Sequence, residues 1–234
     1  MYIAVISDLH LGARPTTDAF GHDDGEFLRF LSYLERAFDR IVLLGDIWET
    51  LTTELPGQPM QEYRAARAAH PELARRFEGK KYRYVYGNHD WIAQRAGASQ
   101  QILLRDGSTR MLFTHGHQHD WLWHRARALA ELGVWFGGWL RRLRLGAVYR
   151  AASRIDGLFT GWSASGPSST FQRWAIHTAA RWDADVVVAG HTHIAERALH
   201  GDRLYLNSGS CCGGQFSYTA IDTRATRFET RETW

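Results

Sequence analysis

Residues 2–10, Tyr2-Ile3-Ala4-Val5-Ile6-Ser7-Asp8-Leu9-His10, decide the architecture. A β-branched apolar run gives way within two residues to a carboxylate and an imidazole. The run reads as a buried strand, Tyr2–Ser7, that delivers Asp8 and His10 at its carboxyl end. The arrangement recurs along the chain. Arg40–Leu44 is apolar and stops at Gly45-Asp46. Tyr82–Tyr86 stops at Gly87-Asn88-His89-Asp90, and Arg110–Thr114 stops at His115-Gly116-His117. Val186–Ala189 stops at Gly190-His191-Thr192-His193. In α/β sheets ligands bind beyond the carboxyl ends of the strands, and glycine there lets the backbone turn sharply. Distant segments therefore converge on one rim.

The intervening segments complete an α/β alternation. Asp23–Phe38 places Phe27, Phe30, Leu31, Leu34 and Phe38 at helical spacing, with Asp23 or Asp24 as N-cap. Residues 58–78 read as helix broken at His70-Pro71, because the residue before proline avoids the α region. Residues 203–207 and 215–230 read as strands joined by the Gly-rich turn Ser208–Gly214.

Composition removes several classes. A chain of 234 residues, 44% hydrophobic, suits one globular domain with a sizeable core. Basic residues number 28 against 25 acidic, a net charge of +3, which is low for a polyanion binder driven by bulk charge. No apolar run reaches the ~18 residues of a transmembrane helix. The N-terminus lacks the basic region and apolar stretch of a signal peptide, so the expected location is the cytoplasm. Cys211 and Cys212 are adjacent and alone. They exclude a disulfide framework, fit a reducing compartment and read as buried small residues.

The strand-end clusters supply Asp8, His10, Asp46, Asn88, His115, His191 and His193. Asp-x-His and His-x-His at a strand end are expected to share a face, since residues i and i+2 of a strand point the same way. Carboxylate, imidazole and amide-oxygen donors without thiolate suit Mn, Fe, Zn, Co or Ni. Seven donors are too many for one tetrahedral zinc and right for two ions if one carboxylate bridges. A single Asp-x-His is usually a turn feature. Five such clusters, each capping a strand, are not a coincidence of composition.

The set Asp8-Leu-His10, Gly45-Asp46-Ile-Trp-Glu49, Gly87-Asn88-His89-Asp90, His115-Gly-His117 and Gly190-His191-Thr-His193 resembles the calcineurin-like metallophosphoesterase superfamily, in the family's order. The resemblance implies a four-layer α/β/β/α sandwich. It implies two divalent transition-metal ions, manganese first, with Fe, Zn, Ni or Co as alternatives. One ion would be held by Asp8, His10, Asp46 and His193. The other would be held by Asp46, Asn88, His115 and His191, so that Asp46 bridges. The implied reaction is hydrolysis of a phosphoester, phosphodiester or pyrophosphate by metal-activated hydroxide. His89 is the implied acid or transition-state stabiliser, and Glu49 matches the carboxylate that pairs with it. Asp90 is expected to orient backbone, and His117 to stand behind the ligands. Asn207-Ser208-Gly209-Ser210 resembles the family's Asn-Pro-Gly-Ser turn, with Ser208 in place of Pro.

Residues 120–185 carry no ligand motif and read as a mainly helical cap inserted within a core of residues 1–119 and 186–234. This stretch holds seven of the ten Trp (121, 123, 135, 139, 162, 174 and 182). It also holds Arg125, Arg127, Arg141, Arg142, Arg144, Arg150 and Arg154, and Glu131 is the one acidic residue between Trp121 and Arg154. Apolar residues from Leu122 to Leu143 recur at helical spacing, interrupted by Gly137-Gly138, which permits a bend or close packing. Three roles compete: a cover for the sheet, a substrate lid with Arg for phosphate and Trp for an apolar tail, and a peripheral membrane or partner face. A helical insertion between the His115 and His191 strands is similar to the UDP-2,3-diacylglucosamine hydrolase branch, which cleaves a lipid precursor's pyrophosphate. This chain departs from it at His89, where that branch has Arg, and at His117, where it has Asp. The expected partner is a small phosphorylated molecule, lipid-linked or nucleotide, with no strong nucleic-acid signal. A nuclease of the same superfamily and a non-catalytic scaffold are the competing functions. The filled ligand set argues against the scaffold.

Overall fold

In the computed structural model, which describes residues 1–14, 18–142, 169–225 and 227–232, the opening run forms β1 (Tyr2–Ile6). It pairs in parallel with β2 (Arg40–Leu44), which pairs in parallel with β3 (Tyr82–Val85). On its other side β1 meets β9 (Tyr218–Asp222) antiparallel, and β10 (Arg227–Arg231) completes the sheet, in the order β10-β9-β1-β2-β3. The second sheet contains β4 (Gln101–Asp106), β5 (Thr109–Thr114), β6 (Val186–Ala189), β7 (Ala195–His200) and β8 (Arg203–Ser208). Its order is β4-β5-β6-β8-β7, with β5, β6 and β8 parallel.

Period-two alternation builds the layers. Ile3, Val5, Val42 and Leu44 point between the sheets, where they meet Met111, Phe113, Val186, Val188, Leu204 and Leu206. Ala4, Ile6, Ile41 and Leu43 point outward onto three helices, α1 (Asp24–Ala37), α2 (Pro59–Ala69) and α3 (Pro71–Phe77). The second sheet buries Leu112, Val187 and Tyr205 under Phe171, Ala175 and Ala179 of α5 (Thr170–Arg181). The result is the four-layer α/β/β/α sandwich. The N-cap is Asp23, whose side chain accepts the Glu26 N–H at 3.0 Å. The helical stretch 58–78 breaks at His70, with Pro71 opening α3.

Three features differ from the sequence reading. The edge strands β4 and β7 were not foreseen: each exposes every second side chain and carries charge, so neither shows a buried apolar run. Residues 215–230 are not one strand but the hairpin β9–β10 after an irregular approach. Helix α5 falls in the segment read as cap and forms the outer layer of the second sheet, which is the sheet cover among the three roles considered. The remaining long helix, α4 (Trp121–Arg142), bends at Ala126 (φ −142°, ψ 46°), not at Gly137-Gly138. Gly138 instead gives close packing: a Cβ there would lie 2.9 Å from Thr52 Cγ2. Arg144, Arg150, Arg154, Leu143 and Trp162 lie outside the described residues. Among the described residues no helix is long and apolar enough to cross a membrane.

Candidate metal centre

β1, β2, β3, β5 and β6 all end toward one rim, and the candidate ligands lie just past those ends. Their local geometry is not the extended i, i+2 arrangement expected. Asp8 (φ 54°), His10 (φ 52°), Asp46 (φ 52°), His191 (φ 68°) and His193 (φ 59°) all adopt the left-handed region. Among the described residues only one other non-glycine, Asp183, does so. Such backbone costs of order 1 kcal/mol per residue and persists where the surroundings over-determine it. Side chains converge because the chain turns back at each ligand, not because a strand alternates. Two glycines make the convergence feasible. Gly45 has φ 87°, and a Cβ on it would lie 2.4 Å from the His115 ring; a Cβ on Gly87 would lie 2.2 Å from Asp46 Oδ1.

Six of the seven residues fall into groups of converging donors, and a third such group joins His10 to Glu49 and His89. Asp8, His10 and His193 present donor atoms within 4.8 Å of one another, and so do Asp46, His115 and His191. His193 Nε2 is 3.2 Å from Asp8 Oδ1, and His115 Nε2 is 3.2 Å from Asp46 Oδ2. Asp46 Oδ2 also lies 3.9 Å from His10 Nε2, and Asp8 Oδ1 lies 4.0 Å from His115 Nε2, so each carboxylate faces both groups. Asp8 Oδ1, His10 Nε2, Asn88 Oδ1 and His115 Nε2 are buried without a hydrogen-bond partner. Orphaned buried donors and acceptors are costly, and cations shared by these groups would satisfy them. The donor set therefore fits two divalent ions.

Asp8, Asp46 and His115 are held from behind. Asp8 Oδ2 accepts hydrogen bonds from the Ser7 hydroxyl and the His191 N–H, and Asp46 Oδ1 accepts the His89 N–H at 2.8 Å. His115 Nδ1 donates to the Leu44 carbonyl at 2.8 Å, which leaves Nε2 as the acceptor nitrogen. Asp90 is fully buried and ties two strand ends together. It accepts the N–H of Ile47 at 2.7 Å and of Gly87 at 2.6 Å, with longer bonds from Asp46 and Trp48, and the Tyr84 hydroxyl. Burial opposes the charge on Asp46, yet the imidazoles of His115 and His89 hold its carboxyl well below the usual range.

Glu49 is buried and serves two imidazoles. Its Oε2 lies 2.8 Å from His89 Nδ1 and 3.6 Å from His10 Nδ1, while Oε1 accepts the Leu51 N–H. Burial raises the Glu49 pKa, but His89 and His10 overcome this and hold it at about 2. Burial depresses His89, but Glu49 and Asp46 lift it to about 9. The two carboxylates thus favour the imidazolium form of His89, whose Nδ1 faces Glu49.

Other neighbours were legible to different degrees. Asn207 of the Asn-Ser-Gly-Ser turn donates to the Gly190 carbonyl at 2.8 Å, and Ser210 donates to the Asp8 carbonyl. His117 is buried with its ring 5.7 Å from that of His115, and burial pushes its pKa well down. The two cysteines differ. Cys211 is buried as expected, whereas Cys212 is half-buried with Sγ 3.8 Å from His193 Nδ1. Ser7, Cys212 and Asp120 were missed as members of the site. Ser7 and Cys212 are small residues with no ligand spacing, and Asp120 served only to mark the start of the cap.

Helix α4 packs beside this rim. The Trp123 ring meets His117 edge-on at 6.0 Å. The Arg127 guanidinium lies 4.1 Å from the Trp91 ring centroid, and its Nε is 3.1 Å from Glu131. Between α4 and the loop after Glu49 lies a cavity of about 310 Å³, lined by Thr50, Leu51, Thr53, Leu132 and Trp135 among others. Leu129, Leu132, Phe136 and Trp139 of α4 are exposed.

The sequence profile of the calcineurin-like phosphoesterases matches residues 1–195. A single mutant of Vps29 from Entamoeba histolytica is similar in structure, with a TM-score of 0.50 at 15% identity over 100% of both chains. An archaeal phosphodiesterase aligns at a TM-score of 0.49 and 15% identity, over 99% of each chain. A predicted phosphoesterase of Streptococcus pneumoniae TIGR4 aligns at 0.46 and 18% identity, over 99% of this chain and 97% of its own. At such identities the likeness is one of fold. No curated protein matches the chain.

Proposed function

The chain belongs to the calcineurin-like phosphoesterase family, a family of dinuclear metal-dependent hydrolases of phosphoesters, and from that premise we propose that its substrate is a small phosphorylated molecule carrying an apolar group. The observation that carries the metal assignment is the pair of adjoining donor groups, with Asp46 Oδ2 3.9 Å from His10 Nε2 of the other group and buried atoms left unpartnered. Asp8, His10, Asp46 and His193 would hold one ion, and Asp46, Asn88, His115 and His191 the other, with manganese the ion to try first. When bound, the two ions lower the pKa of water and neutralise charge on the phosphoryl oxygens.

The chain's own residues do the rest. Asp46, which accepts the His89 N–H, and Thr50, whose hydroxyl donates to the His89 carbonyl, fix its backbone, and Glu49 fixes its ring. With Nδ1 engaged, His89 holds its second proton at Nε2 and offers it to the leaving group. The cationic ring also balances charge that develops on the phosphoryl group. The cavity beside Thr50 supports an apolar substituent, and the exposed stripe on α4, with Arg125 and Arg127 on the same helix, supports an amphiphilic substrate taken from a lipid surface. This favours a pyrophosphate or phosphoester of the UDP-2,3-diacylglucosamine type over a nucleic acid.

A panel supplemented with Mn tests the proposal: bis-p-nitrophenyl phosphate, p-nitrophenyl phosphate, a UDP-sugar lipid, cyclic nucleotides and DNA. Hydrolysis that a chelator abolishes, with lower KM for the lipid than for the p-nitrophenyl esters, is the expected result. Preference for DNA with a steep salt dependence would replace this reading with a nuclease.

A further inference from the structure

Asp120 lies outside both donor groups, yet its carboxylate reaches one of them. Gly116, with φ 113°, turns the chain back immediately after His115, and the single-turn helix His117–His119 follows. The Asp120 N–H closes that turn on the His117 carbonyl. Five residues after His115, the chain thus returns to the same donor group. Asp120 Oδ2 lies 3.6 Å from His191 Nε2, and the His191 ring lies 5.2 Å from that of His115. Asp120 is only partly exposed, with a quarter of its side chain open to solvent. It is also the residue directly before α4. A carboxylate against His191, in a donor group whose His115 Nε2 is buried without a hydrogen-bond partner, adds a hard oxygen donor to that group.

We propose that Asp120 is a positioning residue of the Asp46–Asn88–His115–His191 subsite, holding the ion there directly or through one of its waters, and that metal binding thereby fixes the first turn of α4. The inference rests on the metal assignment above. It adds that occupancy of this subsite and docking of the helix are linked: whatever tightens one tightens the other, by the same factor. The remaining anchors of α4, Trp123 on His117, Arg127 on Trp91 and Gly138 on Thr52, hold the helix further along and do not touch the subsite donors named here.

The test uses the full chain, titrated with Mn²⁺ and read by the EPR signal of free ion, in wild type, Asp120→Asn and Asp120→Glu. Hydrogen exchange at the amides of residues 121–125 is followed with and without Mn²⁺. The wild type is expected to bind two ions and to gain protection at those amides. Asp120→Asn is expected to lose roughly 10- to 100-fold in affinity for one ion, to keep the other within about twofold, and to lose the metal-dependent protection. Asp120→Glu, which keeps the carboxylate, recovers part of both. Asp183→Asn, a carboxylate paired with Arg110 away from the rim, leaves both readouts at wild-type values. Two ions bound by Asp120→Asn with wild-type affinity and wild-type protection would overturn the role of Asp120 while leaving the metal centre intact. A wild type that binds no Mn²⁺ would overturn the metal assignment itself, and this inference with it.

Discussion

The rim and helix α4 are neighbours built on opposite principles. On the rim, Asp8, Asp46, His115 and His191 are almost wholly buried, the first three are gripped from behind, and five ligands occupy strained backbone. On α4 large apolar side chains stand in solvent, and the anchors described are a few ring, cation and close-packing contacts. Strain and orphaned polar atoms persist only where something repays them, so the rim is organised around ions. Exposed Leu129, Phe136 and Trp139 equally need a reason, and a substrate or surface with apolar character is one. The contrast sets out the proposed division of labour, in which the rim carries the reaction and α4 would select what is brought to it.

The sharpest way to break that division is at Asp46, which faces both donor groups. Asp46→Asn is expected to lose metal at both subsites and at least about a thousandfold in kcat on every substrate. Metal analysis and turnover of bis-p-nitrophenyl phosphate check this. A variant that keeps two ions and its rate would remove Asp46 as the bridge. His89→Ala separates chemistry from metal binding within the rim. Turnover should fall by about 10²- to 10⁴-fold, more for a poor leaving group than for p-nitrophenolate, while metal content stays at the wild-type value. Equal losses with both leaving groups would deny it the role of acid.

The rim was legible because few residue types can do its work. Asp, Asn and His at the ends of apolar strands, in this order, have little alternative use, and six of the seven candidate ligands fall into converging groups. What the sequence hid was how they meet. Nothing in Asp8-Leu9-His10 announces a left-handed Asp and His, because the conformation is imposed by packing from Gly45, Gly190 and the Asn207 turn. Edge strands β4 and β7 were hidden for a different reason. Their outward faces bear Arg105, Arg197 and Leu199 among alternating half-buried residues, which resembles a loop more than a strand. The cap was the least legible part. Trp and Arg at helical spacing fit a cover, a lid and a membrane face alike, and only the placement of Thr50, Leu132 and Trp135 around one cavity favours the lid.

A third change probes the scaffold that joins the two regions. Asp90 accepts four backbone N–H groups and the Tyr84 hydroxyl, with no part of its side chain intended for substrate. Asp90→Ala should cost about 3 kcal/mol in urea unfolding, since several buried donors lose their acceptor at once. A loss below about 1 kcal/mol would mean that the strand-end loops hold themselves.

The smallest effect is expected on α4, and it is the one that decides the comparison. Trp135 lines the cavity opposite Thr50 and Leu51 and lies outside the donor groups. Trp135→Ala removes apolar contact from whatever occupies the cavity and leaves the reacting centre untouched. KM for a UDP-sugar lipid should rise about 10-fold, close to 1.4 kcal/mol of lost contact, with kcat and metal content unchanged. KM for p-nitrophenyl phosphate, which has no tail to place there, should stay within about twofold. The paired measurement matters more than either alone. If both substrates weaken together, the helix supports the rim and the division of labour fails. If neither changes, the cavity is a packing defect between loop and helix, and selection must reside in the rim itself.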